Sequence, residues 1–546
     1  MICMKMNTTK CYKKIGRNIL FVTLSLVLSE NLCAQTFSDT FYKKSFLLEE
    51  QKNETVSNFF TTQIEFLNKK SFYTQPTIKS EFTLSQTENE KPIARPWLAA
   101  FEVTAFNLGL HLFDRFALNA DYAQVTWESL NTNFKKGPVW DNDNISTNLF
   151  WHPYTGGLYF NAARVNGMNF WQSIPYAFAG SLMWEYFGEA ELPSINDIIA
   201  TPIGGVAFGE ITHRLSHLII DESKRGKARV SREILAGIIS PMDGFNRLIR
   251  GETFRYNPDE IKPHQPFLLD FSIFNRVMED VDGNRSTMNL ALGVRMVYGS
   301  LFMDKKRKPY DYFAFDFNLN FIGEQPMIPQ ASMIGLLWGQ EWENKSHSYL
   351  FGAFQHFDYH DADPLVDGGR RPYEFAAPAS LGLGFIYKYR PDENKRRLFS
   401  GGIYANAILL GASESDYYLV DKRDYNLGNG YSAKLHGMFI FEKGWVVSLG
   451  VKYFQIYTTQ GYGSADYEIN GLPEDMDFHS ANVQGNKGFA QLVMIDARVD
   501  YILSKKFRLS LEQHYFFRNS HYDYFPNVKS NSAETRLVFT YNILNL

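Results

Sequence analysis

From Phe267 to the carboxy terminus, apolar residues return at every second position. Phe315, Phe317, Leu319 and Phe321 share one face, while Asp316, Asn318 and Asn320 take the other. Val493, Ile495, Ala497, Val499 and Tyr501 alternate in the same way with Met494, Asp496, Arg498 and Asp500. Twelve segments carry this pattern: 267–277, 287–302, 312–322, 332–342, 346–358, 379–390, 398–410, 432–442, 445–457, 487–503, 506–517 and 534–544. Most reach the roughly 9–11 residues that a tilted strand needs to cross a bilayer. None contains proline, and Pro378 and Pro391 bracket one of them. From the fourth segment on, the short connections 343–345, 391–397, 443–444 and 504–505 alternate with the long ones 359–378, 411–431, 458–486 and 518–533. Tight turns at one end and long loops at the other are the signature of an outer-membrane barrel. Aromatic residues at segment ends, among them Trp338, Trp342, Tyr453 and Tyr515, fit its interfacial girdles. The pattern predicts a membrane β-barrel of about 12 antiparallel strands over 267–546, its oily face covered by lipid.

Residues 97–255 follow a helical period instead. Trp97 to Phe116 fits an amphipathic helix, and Phe170 to Trp184 carries no charge, with Pro175 bending it. Gly205 and Gly209 stand four apart, a spacing that admits a second helix at close range. An α-helical domain, periplasmic or membrane-associated, is therefore expected below the barrel mouth. Residues 35–96 are polar and aperiodic and read as a flexible leader. Residues 1–34 combine a basic start (Lys5, Lys10, Lys13, Lys14, Arg17), an apolar run and Leu32-Cys33-Ala34. That is the form of a secretory signal peptide cut after Ala34. The expected location is the cell outer membrane, with the helical domain on the periplasmic side.

Composition narrows the chemistry. A formal net charge of −4 gives no electrostatic footing for nucleic acid. All three cysteines, Cys3, Cys11 and Cys33, fall in the signal segment, which excludes disulfides and thiol chemistry from the mature chain. Expected partners are outer-membrane lipids and an unknown small solute or envelope component. Basic residues crowd one predicted turn (Lys305, Lys306, Arg307, Lys308) while acids crowd the loops (Asp361, Asp363, Glu414). A basic rim could meet lipid phosphates, or these are ordinary solvated turns.

Several constellations could carry chemistry. Glu185 and Glu189 share a helix face beside an apolar run, where paired carboxylates can act as acid and base. A structural network neutralised by Arg164 or Arg214 is the preferred reading. Glu210, His213 and His217 stand at i, i+3 and i+7, a face that could present ligands to a metal. Glu-x-x-His occurs once, however, and HExxH not at all, so capping or pairing with Asp197 or Asp221 is preferred and no metal or cofactor is expected. Ser194 reads as a helix cap with Asp197 three residues on, and a Ser194, His152 and Asp197 triad lacks a nucleophile elbow. Asp141 to Asn144 opens like a calcium loop but lacks its glycine and glutamate. Asp496, Arg498, Asp500, Arg508, Glu512, His514 and Arg536 should face the lumen, as salt-bridged filling or as a polar path.

Trp140–Ser173, Gly180–Ser216 and Ser240–Gly251 resemble an uncharacterised bacterial family, domain of unknown function 3943. The densest likeness is in His152-Pro153-Tyr154, Trp184–Glu189, Pro193–Asp197 and Gly204–Ser216. The resemblance implies a Gram-negative envelope protein without known activity. This chain has Thr155-Gly156 where the family often has His-Gly. A fainter similarity of Glu185, Glu189, Ser194 and Asp197 to VanZ-like envelope proteins is analogy alone. The combined expectation is a gated conduit or structural envelope component. The alternative is an enzyme modifying envelope lipid or glycan at the barrel mouth. It would use His152, Glu185, Glu189, Asp197, Glu210 and His213, with Tyr154, Asn161, Arg164, Trp184, Ser194, Asn196 and Arg214 as binding residues. Convergence of the six around a cleft would favour the enzyme; scattering or plugging by arginines would remove it.

Overall fold

Strict alternation over twelve segments leaves no edge unpaired. In the computed structural model, twelve antiparallel strands close into one barrel, with β1 hydrogen-bonded to β12. The structure describes residues 93–545 apart from 141–144, 146, 259–264, 281–285, 303–306, 367, 392–396, 418–423, 442–443 and 462–483. The signal peptide, most of the leader and the Asp141–Asn144 run lie outside the described residues.

The strands are β1 (Phe267–Asp280), β2 (Ser286–Gly299), β3 (Tyr312–Ile322), β4 (Gln330–Asn344), β5 (His347–Ala362) and β6 (Tyr373–Tyr389). They continue as β7 (Leu398–Glu414), β8 (Tyr425–Ile440), β9 (Trp445–Thr458), β10 (Gly488–Ile502), β11 (Phe507–Tyr522) and β12 (Val528–Asn545). One expectation is corrected. Pro378 lies inside β6, where the pairing with β7 shifts register between Ala376 and Ala379, so the missing N–H falls at an irregularity. The β2–β3 connection, 300–311, is long although it sits at the end where turns are otherwise tight. Its Leu301 and Phe302 tuck into the lumen against Leu336, Leu350, Phe354, Ile386 and Tyr404.

The helical domain comprises α1 (Pro96–Phe113), α2 (Trp127–Lys136), α3 (His152–Val165), α4 (Phe170–Met183), α5 (Ile195–Ile219), α6 (Gly226–Ile239) and α7 (Pro241–Ile249). No described helix is long and apolar enough to cross a membrane. Single π-helical turns precede α3 (Thr147–Trp151) and follow α4 (Trp184–Gly188). Asn169 and Gln172 box the start of α4, and Ser194 caps α5, accepting the Asp197 N–H at 3.2 Å. Helices α3 and α5 touch backbone to backbone. A Cβ on Gly156 would stand 1.9 Å from the Thr201 carbonyl oxygen, and one on Gly205 2.5 Å from the Gly156 Cα. The expected partner of the glycine pair on α5 is therefore α3.

This domain does not sit beneath the barrel. Asp316 and Asn318 line the lumen, so Phe313, Phe315 and Phe317 on the same strand point outward. There Phe313, with Phe267, Tyr298 and Met333, shares one core with Phe160, Phe170, Val206, Ile211 and Leu215 of α3, α4 and α5. Further along the wall Ala331, Tyr359, Ala376, Leu410 and Leu427 pack with Leu149 and Ala200. The helices cover one sector of the outer wall. Helix α5, about 37 Å long at 1.5 Å per residue, runs along it. Hydrogen bonds fix the contact: Gln355 donates to the Ile203 carbonyl at 2.7 Å and Asn148 to the Tyr425 hydroxyl at 3.1 Å.

The remaining sector is bare. Ile403, Leu435, Leu449, Ile495, Leu511 and Phe539 are exposed large apolar side chains on the outward faces of β7 to β12. On β9, Trp445 marks the turn end and Tyr457 the loop end, with Leu449 and Val451 between. At about 3.3 Å per residue and a tilt near 45°, the interval from Trp445 to Tyr457 rises about 28 Å, the height of a bilayer's hydrocarbon core.

Candidate functional site

Three polar clusters lie in or against the helical domain or the lumen, and each forms because an apolar surrounding forces its polar groups together.

The first gathers where α3, the π-turn after α4 and the start of α5 meet. The turn at Trp184–Gly188 directs Glu185 inward, and its carboxylate accepts the Ser194 N–H at 2.8 Å. His152 Nε2 stands 3.3 Å from an Asp197 oxygen. Asn196 donates to Asn148 at 3.0 Å, and Asn148 reaches the barrel through Tyr425. Glu185 is buried. Burial first, and then the charge of Asp197, pushes its carboxyl well above the ordinary range, which favours the protonated form. Glu189 is drawn aside, accepting the Trp184 indole N–H at 2.7 Å. A carboxyl whose protonated form is favoured, beside a second carboxyl and an imidazole, is a donor and acceptor set suited to moving a proton.

The second cluster surrounds Glu210. Its carboxylate accepts from Arg164 at 2.7 and 3.2 Å and from Arg214 at 2.8 Å. Burial alone would raise this group, but the two guanidiniums outweigh it and hold it below the ordinary range. Arg214 also reaches Asp311 at 3.1 Å and the Pro309 carbonyl at 2.6 Å, both on the β2–β3 connection. Glu210 thus rivets helix to barrel and is closed to chemistry. Beside it, His213 Nδ1 lies 3.0 Å from Asp243, and His217 Nε2 3.2 Å from the same oxygen. The expected partners, Asp197 and Asp221, are not the ones used. Asp197 belongs to the first cluster, at the other end of α5, and Asp221 accepts from Ser223. Against the cost of burial, the two imidazoles hold the Asp243 carboxyl far below its usual range, while burial pulls His213 down.

The six proposed catalytic residues therefore divide. His152, Glu185 and Asp197 come together, with Glu189 drawn aside to Trp184; Glu210 and His213 sit 13 and 16 residues beyond Asp197 on α5, about 20 and 24 Å along it. Among the proposed binding residues, Ser194 and Asn196 join the first cluster and Arg164 and Arg214 the second. Tyr154 packs edge-on against Phe208, and Asn161 donates to Thr212 and Ser240. The sequence reading missed Asp243 and Asn148. Asp243 follows Ser240-Pro241, a helix-start signal on a segment 30 residues from His213, and only the tertiary fold, with α7 packed on α6 and α3, brings the two together.

The third cluster fills the lumen. Arg276 pairs with Glu534 at 2.8 Å, Glu534 with Arg536, and Arg536 approaches Glu512 at 3.7 Å. Glu512 meets Arg498, which pairs with Asp500 at 2.8 Å; Arg508 links Asp500 to Asp270 at 3.3 and 3.2 Å. His514 bonds Asp496 at 2.6 Å. All seven residues expected in the lumen lie in this chain of ion pairs, and six of them border a cavity of 240 Å³. Towards the loops, Tyr373, Phe375, Phe454 and Phe516 pack across the bore. At the rim, Arg307 pairs with Glu341, and the acids Asp361 and Glu374 surround Arg371. Lys305 and Lys306 lie outside the described residues.

A closed twelve-stranded barrel with a helical domain seated on its outer wall is thus the class that the fold defines. Residues 137–242, from ahead of α3 to the first turn of α7, match the family model described as "Domain of unknown function (DUF3943)". This is the family that the motifs resemble. No curated protein matches the chain. Among solved structures, the KdgM porin is similar at 8% identity over 50% of this chain and 98% of that one, with a TM-score of 0.21. The toluene transporter TodX of Pseudomonas putida is similar at 9% identity over 52% and 90%, with a TM-score of 0.21. The outer membrane channel DcaP of Acinetobacter baumannii is similar at 10% identity over 51% and 96%, with a TM-score of 0.19.

Proposed function

We propose that the protein is an outer-membrane structural component. In this reading its barrel crosses the bilayer with a side-chain-filled bore and holds the helical domain against its wall at the lipid boundary. One observation carries this reading. The outer wall is divided between a bare apolar sector of bilayer height and a sector sharing a core with α3, α4 and α5. A bare sector of that size needs hydrocarbon around it. The ion pairs and aromatic layer across the bore favour a closed state over an open path for a solute. Planar-bilayer recording on the full chain tests this: no stable conductance is expected, and persistent porin-like openings would establish the conduit instead.

The six-residue enzyme site does not assemble, since Glu210 and His213 lie apart and Arg164 and Arg214 occupy Glu210; a second reading is left only in a narrower form, an enzyme acting on envelope lipid or glycan through His152, Glu185 and Asp197 alone. On that reading a Glu185→Gln strain has an altered envelope lipid or glycan profile; a profile identical to wild type removes it.

A further inference from the structure

We propose that His213, His217 and Asp243 form a binding site for a divalent transition metal of the zinc class, joining α5 to α7. The donor set is two imidazole nitrogens and one carboxylate, the combination of three-ligand zinc sites that keep a fourth position open. His213 and His217 are four apart on α5 and so share a face. Asp243 faces them from the first turn of α7. The candidate ligand atoms all lie within 4.8 Å of one another. A tetrahedral ion with bonds of about 2.0–2.1 Å has ligand–ligand edges near 3.3 Å. The observed separations from the Asp243 oxygen are 3.0 Å to His213 Nδ1 and 3.2 Å to His217 Nε2, so these two edges are already close to size, and the edge between the imidazoles is within 4.8 Å.

The surroundings are built as a metal site requires. Asp243 is buried, and its second oxygen accepts the Ser240 hydroxyl at 2.5 Å. Ser240 is held in turn by Asn161 at 3.2 Å, which also grips Thr212 on α5. Such outer contacts orient a ligating carboxylate. The His217 side chain is 54% exposed, which leaves an approach for the ion. Glu210, one turn before His213, does not compete, because Arg164 and Arg214 occupy both its oxygens. The site falls outside the lumen and outside the His152 cluster, so it stands or fails independently of the two readings above.

The test uses the full chain folded in detergent, stripped with a chelator and titrated with Zn2+ by calorimetry, and with Co2+ by visible absorption. One equivalent of Zn2+ per chain and a four- or five-coordinate Co2+ spectrum are expected. Ser240→Ala should weaken Zn2+ binding about 10–100-fold, the usual effect of an outer-shell loss. His217→Ala, which removes a ligand from a mostly exposed position, should weaken it by more than 100-fold while the barrel keeps its heat-dependent gel mobility. Wild type that takes up no Zn2+, or His217→Ala binding as wild type does, would overturn the assignment and leave a hydrogen-bonded His-Asp-His cluster.

Discussion

Glu185 and Glu210 show how neighbours rather than residue type decide a carboxylate's role. Both are buried on the helical domain, yet Glu185 faces Asp197 and a backbone N–H, whereas Glu210 faces two guanidiniums. The raised Glu185 carboxyl has a pH consequence. Between the ordinary carboxylate value and its own raised one, the folded chain holds a proton that the unfolded chain has lost. Stability then falls as pH rises through that window, by at most about 1.4 kcal/mol per unit. Glu185→Gln should flatten this fall, read as helical unfolding against pH by circular dichroism; an unchanged slope would mean that Glu185 is ionised. Glu210→Ala should cost about 3–5 kcal/mol, since it strands buried cations. The i, i+4 spacing of Glu185 and Glu189 and the Ser194 cap were legible in sequence. The separate fates of the two glutamates were not: Arg214 lies four residues from Glu210 on the same helix, but Arg164, 46 residues away, is a tertiary fact.

At the scale of elements, period-two alternation located all twelve strands, since each must show one face to charge and the other to apolar surroundings. The alternation could not say what covers the apolar face. Phe313 and Met333 under helices, and Leu449 and Leu511 in the open, are equally apolar. Hence the helical domain, expected below the mouth, lies on the wall. Pro378 was misread for a related reason: a proline is tolerated inside a strand where a register shift removes the need for its N–H. The α3–α5 crossing was half legible, in Gly205 and Gly209, and gives a paired prediction. Gly156→Ala forces a methyl into the Thr201 carbonyl and should destabilise the helical domain by about 1–3 kcal/mol. Gly109→Ala on α1 meets nothing within 4 Å and should stabilise by about 0.5–1 kcal/mol. Thermal melts of the two variants should move in opposite directions.

At the scale of the whole molecule, the outer wall is divided between a bare apolar sector and helices. Exposed apolar residues on α1 and the π-helical turn after it (Asp114–Leu118), including Trp97, Phe101, Leu112 and Phe116, extend the oily surface past the barrel itself. Cysteines occur only at positions 3, 11 and 33, so single nitroxide labels can be placed along the strands without background from the barrel. Labels at Leu449 and Leu511, in liposomes, should collide freely with oxygen and be shielded from a water-soluble nickel chelate. Labels at Phe315 and Met333, on the same outward face, should be immobilised and shielded from both. Equal oxygen access at all four positions would contradict the seating of the helical domain on the wall, and nickel access at Leu449 and Leu511 would contradict the membrane-spanning barrel.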